Sequence, residues 1–121
     1  MTPGAGLNDS VNYVNIESTR AGSGVIVKVI GRMDAESAPA FQQACQSWID
    51  QGVNRLVIDM SELAYVSSMG LRSFVAIGKL LSDKGGNLRL CCLTGLVKQV
   101  FEITRLSSVF AMHDSVESAL V

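Results

Sequence analysis

The chain is poor in the residues that most chemistry needs: it has one histidine, three cysteines, two prolines and one tryptophan among 121 residues. With His113 as the only imidazole, a serine–histidine–acid set has a single candidate base, far along the sequence from the serines discussed below. The three cysteines are an odd set without metal-ligand spacing. Cys45, Cys91 and Cys92 therefore read as buried structural thiols in a reducing, cytoplasmic setting, and no metal is expected. Adjacent positions on a strand would send Cys91 and Cys92 to opposite faces. Neither G-x-G-x-x-G nor G-x-x-x-x-G-K-[ST] occurs, so no nucleotide cofactor is implied, and Asp59 suits a loop N–H better than a cation.

Charge is scarce too. Charged residues make up 17% of the chain and the net charge is -1, which leaves no basic field for nucleic acid. No apolar run approaches the roughly 20 residues that cross a bilayer. Met1 to Ser10 has no basic region followed by an apolar stretch, so it reads as a flexible tail, 1–10, rather than a leader, with the domain at 11–121.

Apolar residues are plentiful, at 48%, enough for one compact core and enough to leave apolar surface for a partner or a second copy of the chain in a homodimer. Their spacing alternates between strand and helix periods. Val11 to Glu17 and Val25 to Ile30 predict an antiparallel strand pair around Gly22 to Gly24. Ala38, Phe41, Cys45, Trp48 and Ile49 predict a helix from Ser37, with Pro39 in its first turn and Gly52 as its stop. Leu56 to Asp59 reads as a short strand buried on both faces, and Ser68 to Lys84 as a helix ended by Gly85-Gly86. A strand over Leu88 to Leu93, a helix from a Thr94 cap to Thr104, an edge strand over Val109 to Met112 and a last helix begun by Asp114 and Glu117 complete the order. Helices between strands require crossovers. The fold class is therefore α/β: a mixed, mostly parallel sheet with an antiparallel N-terminal pair, flanked by about four helices.

One place in this pattern invites chemistry. Ser67 and Ser68 stand where a strand gives way to an apolar helix. Ser67 suits the N-cap, accepting an N–H from Met69 or Gly70, and Ser68 then falls in the first turn with its hydroxyl outside. One reading stops at capping and packing. The other makes Ser68 a phosphorylation site, because a phosphoryl group adds about -1.5 to -2 charges beside helix N–H groups that favour an anion.

Ile58-Asp59-Met60-Ser61 followed by Tyr65-Val66-Ser67-Ser68-Met69-Gly70-Leu71 resembles the signature of STAS domains, and more closely that of bacterial anti-sigma factor antagonists. The resemblance runs from about Val25 to Val121 and takes in Gly31-Arg32-Met33-Asp34, Phe41, Gly85-Gly86-Asn87-Leu88, Val97-Lys98-x-x-Phe101 and Leu106. It implies a single STAS-type domain that binds an anti-sigma factor, often itself a serine kinase, and so frees a sigma factor. The phosphoacceptor of such proteins falls on Ser68, with Ser67 as the lesser candidate. A kinase would switch the protein off there, and a metal-dependent serine phosphatase would reset it. Ser67 departs from the Asp that commonly precedes the acceptor, and Arg72 departs from a small residue in the following turn.

The surface expected to meet the partner comprises Asp34, Ser67, Met69, Gly70 and Arg72 around Ser68. Arg72 lies four residues after Ser68, within reach of a phosphate or an acidic partner. A non-phosphorylated scaffold or accessory subunit of a signalling assembly or transporter is the alternative that uses the same surface. An enzyme with Ser68 as nucleophile would need His113 beside it.

Overall fold

The computed structural model describes residues 14–121; the expected tail, 1–10, and residues 11–13 of the expected first strand lie outside them. β1 (Asn15–Ala21) and β2 (Gly24–Met33) pair antiparallel, as expected, with Ala21 opposite Gly24. β1 extends beyond Glu17 because the tight turn after Ala21 sets the register. Ser18, Thr19 and Arg20 are exposed there, so hydrophobic alternation could not mark them as strand. β2 likewise runs on past Ile30. Two register shifts against the neighbouring strand, at Lys28/Ile30 and Gly31/Arg32, absorb the irregularity, and Gly31 takes a φ of 106°.

The largest difference lies in β3 (Arg55–Val66), expected only over Leu56 to Asp59. Its first half lies between β2 and β4 (Asn87–Cys91) and is apolar on both faces. Beyond Asp59 no β4 partner remains, and Glu62 to Val66 pair with β2 alone. The half-covered segment is buried at Met60, Leu63 and Val66 and exposed at Ser61, Glu62 and Ala64, a spacing of three rather than strict alternation.

The sheet order is β1-β2-β3-β4-β5, with β5 spanning Ala111–His113, and every pair after the first is parallel. Helices α1 (Ala38–Asp50), α2 (Ser68–Asp83) and α3 (Gly95–Ile103) supply one face with Phe41, Cys45, Phe74, Ile77, Leu81 and Phe101, packed on Val25, Val27, Leu56, Ile58 and Leu90. Phe41, Phe74 and Phe101 are fully buried, and their ring centroids are 4.8 Å and 5.8 Å apart in that order. The other face carries a smaller cluster of Val57, Cys91 and Ala119 under α4 (Val116–Leu120). Arg89 Nη1 reaches through to the carbonyls of Ala119 at 2.8 Å and Val121 at 2.6 Å, and Arg55 donates to Leu120 O. Cations at a helix C-terminus satisfy carbonyls that have no partner inside the helix.

The stops fall where glycine predicted them. Gly85 at φ +77° lets its own N–H reach Ser82 O at 3.0 Å and the Gly86 N–H reach Leu81 O at 2.8 Å, the paired bonds of a left-handed helix end. Gly86 has a further reason to be glycine, since a Cβ there would lie 1.9 Å from Asn54 O. Two starts differ from expectation, for Thr94 stands at the head of α3 but its side chain makes no capping hydrogen bond. Ser115, not Asp114, has the extended backbone at the head of α4, and its Oγ accepts the Ser118 N–H at 3.0 Å.

Candidate functional site

β2 and β3 end side by side, with Met33 opposite Val66, so the residues that follow each strand emerge together. The Ser67 N–H donates to Met33 O at 2.9 Å and joins the two exits. Ser67 is extended, at φ -94° and ψ 175°, and its Oγ accepts the Gly70 N–H at 3.2 Å. It is therefore the N-cap of α2, as the sequence suggested. Ser68 follows as the first helical residue and is exposed.

Gly70 is buried, so its part is to let the helix approach β2 rather than to face a partner. A Cβ at that position would lie 2.5 Å from Met33 O, 2.8 Å from Met33 Cγ and 2.9 Å from Val66 Cγ2. Met69 is 46% exposed at the head of α2. Arg72 is exposed and its Nη1 rests 3.9 Å from Met69 Sδ, with no ion pair among the described residues. Shallow grooves flank this arginine. One is lined by Ala35, Pro39, Gln42 and Ala76, the other by Ser68, Leu71, Val75 and Leu106.

Asp34 stands across from Ser68 as the pivot of the turn between β2 and α1. Its Oδ1 accepts the Glu36 N–H at 3.0 Å and the Ser37 N–H at 3.1 Å, and Ser37 Oγ lies 3.1 Å away. Ser37 is 1% exposed; its hydroxyl accepts the Asp34 N–H at 2.9 Å and donates to Arg32 O at 2.7 Å. The Ser37 N–H is the chief cause that holds the Asp34 carboxyl below its ordinary range. The Ser37 hydroxyl, the Glu36 N–H and Arg32 add to this against a partial loss of solvent. A lowered folded value means stability that is present above the unfolded pKa of about 3.9 and is lost as pH falls through the folded value. The stability difference between the native chain and Asp34→Asn should accordingly be constant near neutrality and shrink below about pH 4. Urea titrations across that range would show it, and a difference unchanged by pH would exclude a charged role for Asp34.

Sequence reading missed three members of this turn. Ser37 stands three residues after Asp34, a spacing typical of side-chain-capped turns, and that signal was available. Arg32 and Tyr65 had none. They meet because the shifted register sets them opposite each other, placing the guanidinium 4.2 Å from the ring centroid, with Arg32 Nε 4.0 Å from Asp34 Oδ2.

Among the described residues no hydrogen bond joins His113 to either serine, and its Nδ1 lies 3.0 Å from Ser118 Oγ on the far side of the sheet order. A phosphoryl group on Ser68 would sit beside the first-turn N–H groups of α2, with Arg72 one turn on.

Residues 13–119 match the STAS domain, and the chain belongs to that family. Its relatives include BtrV of Bordetella bronchiseptica, named as an anti-sigma factor antagonist, 35% identical over 74% of this chain and 77% of its own length. The anti-sigma-B factor antagonist of Bacillus subtilis is 28% identical over 79% of this chain and 87% of its own. Among solved structures, an anti-sigma factor antagonist from Mycobacterium paratuberculosis superposes with a TM-score of 0.80 at 24% identity, covering 88% of this chain and 91% of the other. No described helix is long and apolar enough to cross a membrane.

Proposed function

We propose that this chain is an anti-sigma factor antagonist, a binding module rather than a catalyst. In its unphosphorylated form it captures an anti-sigma factor with serine kinase activity, thereby releasing a sigma factor. Phosphorylation of Ser68 by that kinase turns it off, and a serine phosphatase restores it. The observation that carries this reading is the placement of an exposed Ser68 hydroxyl at the head of α2, on one platform with Met69, Arg72 and the Asp34 turn. The relatives' names point the same way.

The platform works through charge. An unmodified Ser68 leaves the apolar Met69 and the grooves beside Arg72 free to be covered. A phosphoryl group places about two negative charges at the centre of that contact, where burying them costs more than helix N–H groups and one arginine return. Ser68→Ala should keep the affinity for the cognate anti-sigma factor, and Ser68→Asp should weaken it by about tenfold or more, about 1.4 kcal/mol. Calorimetry with both variants decides; equal affinities would end the switch reading. Intact mass after incubation with kinase and ATP supplies the second arm. No added phosphate would favour the scaffold role, in which Ser67 and Ser68 only begin a helix.

A further inference from the structure

A second cluster of reactive side chains lies at the C-terminal end of β4, outside the Ser68 platform. Asp59 and Cys91 are register partners on adjacent parallel strands, so they project to the same face of the sheet, the one under α4. Strand alternation would turn Cys92 to the opposite face, but β4 ends at Cys91 and Cys92 adopts a left-handed backbone, φ 67°. Both thiols consequently pack in the one small cluster with Val57 and Ala119. Such a backbone is strained for any residue but glycine, and the Cys92 N–H holds it by donating to His113 O at 3.1 Å.

The result is three ligand atoms, from Asp59, Cys91 and Cys92, all within 4.8 Å of one another. A tetrahedral zinc ion, with Zn–S of about 2.3 Å and Zn–O of about 2.0–2.2 Å, needs its ligands just under about 4 Å apart, which small side-chain rotations would reach. Asp59 is already oriented, since its Oδ1 accepts the Ser61 N–H at 3.0 Å. Cys92 is half-buried and lines a cleft with Leu93, Thr94, Lys98, Phe101 and His113, which gives an ion its way in.

We propose that Asp59, Cys91 and Cys92 form a three-ligand site for a thiophilic divalent cation of the zinc class, with the fourth position open to the cleft. Two sulfur donors favour zinc over magnesium or calcium, which take oxygen shells. Two thiolates and a carboxylate gathered this closely need a compensating positive charge. A bound cation supplies the missing charge, and the thiol protons leave to solvent as the sulfurs bind. His113 is not in the set, as neither of its ring nitrogens falls within the cluster of ligand atoms. Ligand spacing in the sequence could not have revealed this, since Asp59 comes from a different strand.

Cobalt(II) titration of the reduced full chain is the test. A thiolate-to-cobalt charge-transfer band should grow to one equivalent and bleach when Zn2+ is added. Cys92→Ser and Asp59→Asn, both outside the main core, should each weaken binding by about tenfold or more, while His113→Ala should leave it unchanged. Absence of the band in the reduced native chain would overturn the proposal, and so would full-strength binding by both Cys92→Ser and Asp59→Asn. Neither result bears on anti-sigma factor binding.

Discussion

Gly70→Ala is expected to destabilise the protein by about 3 kcal/mol, at the upper end of what overpacking costs. The added methyl would meet Met33 O at 2.5 Å and Val66 Cγ2 at 2.9 Å, and neither can step aside. Met33 O is held by the Ser67 N–H at 2.9 Å, and Val66 belongs to the buried core. Relief requires the first turn of α2 to lift from β2, which lengthens the bond that joins the two strand exits. Urea unfolding should show a lower midpoint at unchanged slope. A loss under about 1 kcal/mol would mean that the helix start is not pinned as described.

Phe74→Ala should cost about as much or more, about 3–5 kcal/mol. Phe74 is fully buried and touches both aromatic neighbours, Phe41 from α1 and Phe101 from α3, so its removal opens a cavity where three helices converge on the sheet. The backbone there is helix and strand, with little freedom to collapse inward. Thermal unfolding is the simplest readout. A shift of a few degrees or less would indicate that α1 and α3 close over the space.

The parts of the fold that periodicity can carry were legible in the sequence. Phe41, Cys45 and Ile49 do form the buried stripe of α1, and Gly52 and Gly85 do end helices in left-handed turns. Strand extents were not. The second half of β3 depends on which neighbour remains beside it, and β4 stops at Asn87–Cys91 because Cys92 turns left-handed, neither of which is a local property. At the platform, Ser67 and Ser68 were read from helix-start chemistry, with Ser67 capping as read, whereas Met69 and Arg72 entered with the family resemblance. The Arg32–Tyr65 stack depends on a shifted register and the Cys92 turn on one dihedral angle, and hydrophobic pattern encodes neither. Gly70 illustrates the intermediate case. Its position in the signature was plain, but only the closeness of Met33 O explains why a side chain has no room there.

The bond from the Ser67 N–H to Met33 O has a consequence for timing. Under the proposed function, the Asp34 turn and the head of α2 are fixed to each other before any encounter, so a partner would find its landing surface already assembled and would lose little ordering entropy on docking. A modification on Ser68 then need not remodel anything. Its charge would act chiefly on how long the complex lives, so the regulatory clock would be read in dissociation rates rather than in changes of shape.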